Sequence, residues 1–132
     1  MVRRTAALCT ALVAFTAIAC ADESSSGVTG GPTGDTSVAR GAEVYAASCA
    51  SCHGDDLRGT PVGPSLLSEL YGPDRHTDEV FVASIRNGVP QREWSFGPMP
   101  SVGAVRGSDL EAVLAFVRAE QDREGLEPYP PE

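Results

Sequence analysis

A chain of 132 residues, 42% hydrophobic and 21% charged, holds one compact domain and is too short for two of ordinary size. Its ten basic residues, all Arg, face eighteen acidic ones for a net charge of −8, which argues against nucleic-acid binding. Four Cys could signal a disulfide scaffold, but Cys9, Cys20, Cys49 and Cys52 fall in three different settings, so the count alone misleads.

Residues 1–19 read as a secretory signal. Arg3 and Arg4 form a basic start, and the mostly apolar stretch that follows falls short of the roughly 20 apolar residues of a spanning helix. Cys9 leaves with this segment. Two cleavage chemistries compete: Ala17-Ile18-Ala19 fits the small-x-small pattern of ordinary signal peptidase, while Ala19-Cys20-Ala21 resembles a bacterial lipoprotein site. Lipidation of Cys20 is favoured, because ordinary cleavage leaves an exposed, unpaired thiol at the mature N-terminus. The expected location is therefore extracytoplasmic, periplasmic or on the outer face of the cytoplasmic membrane, with a lipid anchor. Without residues 1–19 the chain keeps eight Arg against eighteen acids, a net −10.

Residues 20–37 read as a flexible, Gly/Ser/Thr-rich linker. Positions 21–37 hold four Gly, four Ser and three Thr, and as a coil they span about 20 to 25 Å. The folded unit is expected at 38–124, followed by a Pro-rich tail at 125–132. Within the unit the periodicity is helical, with no convincing strand alternation. A first helix is expected over 38–50, carrying Gly41, Val44 and Tyr45. A second starts near Thr77, a capping residue followed by Asp78 and Glu79, and stops at Asn87-Gly88. Ser108 and Glu111 form a capping-box pattern for a third, whose core face is Leu110, Val113, Leu114 and Val117. Long Gly- and Pro-rich stretches, 54–64 and 89–103, separate these helices. So few helical residues bury too little apolar area to hold such loops unaided.

Cys49-Ala50-Ser51-Cys52-His53 supplies what is missing. A C-x-x-C-H run at a helix end puts two thiols about one turn apart with an imidazole directly after, the spacing that thioether bonds to both haem vinyl groups and iron ligation by His53 require. The expected cofactor is one haem c, covalently bound through Cys49 and Cys52. A thioredoxin-type dithiol wants a βαβ setting and gives the adjacent His no role. A zinc site would have to be assembled from Cys49, Cys52, His53 and His76 without paired spacing. A bare Cys49–Cys52 disulfide would close a very tight loop.

Met99 is the expected sixth ligand. It is the single Met outside the signal, 46 residues after His53, in Gly97-Pro98-Met99-Pro100, where two prolines stiffen the backbone around the thioether. Core packing explains a Met between two prolines poorly. His76, among Asp74, Arg75 and Asp78, reads as an ordinary exposed surface His. Thioether ligation raises the reduction potential relative to two imidazoles.

Taken together these residues resemble the small class I c-type cytochromes of bacteria. The resemblance covers about residues 38–121 and is carried, in order, by GAEVY, CASCH, VGPSL, IRNG, GPMP and LAFVR. It implies an all-α, small cytochrome c-like fold of three or more short helices wrapped around one covalently bound haem. It also implies that Gly41 and Tyr45 cross the last helix near Phe116, and that the Pro64 carbonyl takes a hydrogen bond from the free ring nitrogen of His53. Trp94 stands where members place an aromatic near the haem propionates, or else simply packs in the pocket. Two departures are visible: Pro100-Ser101-Val102-Gly103 follows the Met, and the segment 54–63 is longer than in the smallest members and holds Asp55 and Asp56.

The expected function is one-electron transfer by a monomer that meets redox partners transiently, without catalysis of its own. The acidic chain calls for a basic docking face on the partner, with association slowing as salt rises. Two alternatives differ in kind: a haem domain with an open sixth site for a gas or peroxide, and a dedicated haem subunit of a membrane oxidase or dehydrogenase.

Overall fold

The computed structural model describes residues 34–91 and 95–129, the side chain of Asp35 apart. The signal at 1–19, Cys20, most of the linker, Trp94 and residues 130–132 lie outside the described residues. The regular elements are all helical: α1 (Gly34–Ser48), α2 (Ala50–His53), one 3-10 turn (Glu69–Tyr71), α3 (Asp78–Asn87) and α4 (Ser108–Glu124). Among the described residues, extended pairing is limited to three isolated bridges, Thr60 with Gly63, Ser68 with Glu127, and Val89 with Met99. The expected all-α, cytochrome c-like architecture is the one adopted.

The long helices α1 and α4 cross closely because Gly41 has no side chain. A Cβ there would stand 2.6 Å from Phe116 Cβ and 2.7 Å from the carbonyl carbon of Ala112. One turn further on, Tyr45 packs on Phe116 with ring centroids 5.3 Å apart and planes tilted by 50°. At the other end of the crossing Arg40 reaches both carboxylate oxygens of Asp109, at 2.8 and 3.1 Å. Leu110, Val113 and Val117 of α4 are buried as the periodicity requires, and Leu114 is half-buried at the edge of the same cluster. Fully burying side chains such as Val113 and Val117 contributes about 1.5–3 kcal/mol each.

Several boundaries differ from expectation. The first helix begins at Gly34 rather than residue 38, so Thr36 and Ser37 lie in its first turn and not in linker. Short polar side chains are tolerated there because the first N–H groups have no helical partner in any case. The capping box is not formed: Gly107 takes the N-cap position with φ +56, and Ser108 is already helical. A left-handed glycine turns the chain into the helix one residue early, and the Gly107 carbonyl receives the N–H groups of Leu110 and Glu111. Thr77 does hold the N-cap of α3, but its side chain makes no capping bond and its hydroxyl engages Glu79 instead.

The loop between the 3-10 turn and α3 is fastened by polar groups on the last turns of α4. Gln121, only 4% exposed, donates from Nε2 to the carbonyls of Leu66 (2.7 Å) and Tyr71 (3.0 Å). Arg118 donates to the carbonyls of Tyr71 and His76 and pairs with Asp78. His76 is consequently not an exposed surface residue: it is half-buried, edge-on to Tyr71 and Phe81 with centroids at 5.3 and 6.2 Å. Residues 125–129, beyond the expected domain boundary, are also tied to the fold. Glu127 donates to the Leu67 carbonyl and accepts from the Glu69 N–H.

Candidate haem site

The chain turns at Cys49, whose backbone leaves the helical region between α1 and α2. Its N–H still donates to the Tyr45 carbonyl, while its own carbonyl accepts from both Cys52 and His53 at 3.0 Å. The two thiols thus project from one short turn that is rigidly continuous with α1. Both cysteines are free and half-buried. Burial, reinforced by the neighbouring Cys52, pushes the Cys49 thiol up to about 11.

Residues 54–63, the longer segment noted above, wrap back over this turn and satisfy its carbonyls. Gly54 donates to Ala50, Gly59 to His53, and the Thr60 hydroxyl to Cys52 at 2.6 Å. Gly63 lies directly against the turn, since a Cβ there would come within 2.5 Å of the Cys52 oxygen. The segment is anchored by Leu57, 2% exposed yet held at φ +63, a left-handed conformation that costs a branched residue on the order of 1 kcal/mol. Burial of its side chain and the bond from Leu66 N–H to its carbonyl, 2.8 Å, offset that cost. On the other side, the Tyr45 hydroxyl donates to the Gly54 carbonyl at 2.7 Å.

His53 Nδ1 lies 2.9 Å from the carbonyl oxygen of Pro64. A carbonyl only accepts, so Nδ1 carries the hydrogen and the lone pair sits on Nε2. Burial of the ring lowers its basicity and favours the neutral imidazole, outweighing the Pro64 bond, which acts in the opposite direction. The set suits a haem c: two free thiols one turn apart, and an adjacent imidazole whose Nε2 is available in a fixed orientation.

Met99 reaches the same core by another route. Its backbone exchanges two 2.9 Å hydrogen bonds with Val89, and its side chain packs, half-buried, against the cluster that Cys49 also touches. Gly88 makes this pairing possible. It has φ +74, and a Cβ would meet the Met99 carbonyl at 2.6 Å and Ser101 N at 2.9 Å. The structure therefore groups Cys49, Cys52, His53 and Pro64 in one hydrogen-bonded unit and sets Met99 on a separate strap against the shared core. Trp94 and Cys20 lie outside the described residues. Thr60, Gln121 and Arg118 were not singled out from the sequence; isolated polar residues without spacing partners carry no local signal of loop fastening.

Residues 36–117 match the sequence profile of the family described as cytochrome c oxidase, cbb3-type, subunit III. The chain is 28% identical over 96 residues to the cbb3-type cytochrome c oxidase subunit CcoP of Rhodobacter capsulatus, covering 70% of this chain and 32% of that protein. It is 39% identical over 67 residues to subunit FixP of Azorhizobium caulinodans, covering 47% and 23%. With FixP of a Bradyrhizobium strain it shares 33% over 86 residues, covering 61% and 27%. The chain thus spans a third or less of the length of these relatives.

Proposed function

This chain belongs to the cbb3-type oxidase subunit III family of c-type cytochrome domains, and on that footing we propose that it is an electron-transfer domain dedicated to a membrane oxidase. The observation that carries the reading is His53, its Nδ1 committed to the Pro64 carbonyl, directly after two free thiols on one helical turn. When bound there, a haem c supplies one-electron chemistry between ferric and ferrous iron. Cys49 and Cys52 would hold it by thioether bonds and His53 Nε2 would ligate the iron, with the imidazole oriented by the Pro64 carbonyl. Met99, on its strap, would supply the second protein ligand to the iron, and Trp94 is the candidate for an aromatic partner of the propionates. The protein's part is to bind, orient and exclude water, with no catalysis of its own.

The relatives' names favour a fixed oxidase subunit over the freely diffusing monomeric carrier expected from sequence. Export and a lipid at Cys20 would hold such a domain at the outer face of the cytoplasmic membrane. Among the described residues no helix is long and apolar enough to cross a membrane, and the lipid would supply the anchor. The test is twofold. Mild detergent extraction of native membranes should bring down this chain with an oxidase, and recovery as a free monomer would favour the diffusing carrier. Optical spectra of the exported protein should be low-spin and unmoved by carbon monoxide; ready carbon monoxide binding would mean an open sixth site, and no haem absorption at all would refute the reading.

A further inference from the structure

Beyond the family match, which stops at residue 117, the chain folds back on the site. Gly125, at φ +81, ends α4 and sends residues 125–129 along the segment that follows Pro64. Glu127 makes backbone bonds of 2.7 and 2.8 Å to Leu67 and Glu69, and Leu126 packs over Gly72, where a Cβ would meet its Cδ1 at 2.6 Å. Arg58, in the loop between His53 and Pro64, clasps the segment by pairing with Glu124 at 3.4 Å and Glu127 at 3.2 Å. The result is a cleft of about 320 Å³ with Gly63 and Pro64 on one wall and Pro128 and Tyr129 on another. Phe96, on the strap that leads to Met99, lines it too.

We propose that residues 125–129 are a working wall of the haem site: they keep water from the Pro64 side of His53 and thereby raise the reduction potential. This rests on the haem reading above. The ferric state carries one more positive charge than the ferrous state, and water stabilises the more highly charged form, so a drier flank favours reduction. The sign of the effect separates this role from simple electrostatics. Ending the chain at Glu124 removes the carboxylates of Glu127 and Glu132, and loss of negative charge alone would raise the potential. Opening the wall lowers it.

The experiment is redox titration of three exported, haem-loaded proteins: wild type, the chain ending at Glu124, and Tyr129→Ser, which trims the wall without a change of charge or loss of the Arg58 clasp. The expected result is an unchanged low-spin spectrum with a lower midpoint in both variants, lower in the truncated chain. A midpoint that stays the same or rises in both overturns the proposal. If the truncated chain does not fold, Tyr129→Ser decides by the same criterion. A wild-type protein without covalent haem would instead sink the haem reading itself, an outcome visible in the spectrum before any titration.

Discussion

Replacing Gly41 by Ala tests the helix crossing that positions Cys49. The added Cβ would stand 2.6 Å from Phe116 Cβ and closer still to the Ala112 oxygen, a backbone atom that no rotamer change can move. Ordinary contact begins near 3.4 Å, so to clear the Ala112 oxygen α1 and α4 must separate by more than an ångström. Overpacking of this kind costs about 1–3 kcal/mol, and loosening the Tyr45–Phe116 pair removes about 0.5–1.5 kcal/mol more. Against this, Ala is better than Gly inside a helix by about 1 kcal/mol. The net expectation is a loss of about 2 kcal/mol, or roughly 8–16 °C in Tm for a domain of this size. Thermal unfolding of the haem-loaded protein by circular dichroism measures it, with Gly103→Ala as the control, since a Cβ at Gly103 meets nothing within 4 Å. If Gly41→Ala unfolds at or above the wild-type temperature, the close approach does not constrain the crossing and this reasoning is wrong.

Met99→Ala should remove the sixth ligand, so that the reduced protein binds carbon monoxide; a variant spectrum identical to wild type would show that another group ligates the iron. Gln121→Leu leaves the Leu66 carbonyl without its side-chain donor and the Tyr71 carbonyl with Arg118 alone, and should cost about 1–3 kcal/mol in urea unfolding; an unchanged midpoint would mean that Gln121 does not fasten the loop. Burial and the nearby Arg118 hold His76 below its ordinary imidazole range. Because the unfolded chain then takes up the proton first, the stability tied to neutral His76 is present above about pH 6.5 and lost as pH falls below it. The guanidinium of Arg118 is the charge that bears on the ring, and it disfavours the imidazolium. The stability margin of wild type over His76→Gln should therefore shrink on acidification, and a margin independent of pH would refute the assignment. Mass spectrometry of the mature N-terminus should find lipid on Cys20, and an unmodified cleavage product would rule the anchor out.

The amino-acid order alone determined what is local. The C-x-x-C-H spacing sets two sulfurs and an imidazole on one turn whatever surrounds them, because 3.6 residues per turn is a property of the backbone. The apolar face of α4 was equally legible, since burial follows that same period. Helix ends were not: whether Ser108 or Gly107 caps α4 depends on the direction from which the loop arrives, which no neighbouring residue encodes. His76 looks exposed among charged neighbours, and it is half-buried only when the loop folds Tyr71 and Phe81 against its ring and α4 brings in Arg118, 42 positions away. Likewise the tail carries no helical or strand period, and its place beside Leu67 and Arg58 follows from bonds between positions about sixty to seventy residues apart. Contacts of that range are settled when the whole chain closes on one core, where buried backbone groups must find partners wherever the packing puts them.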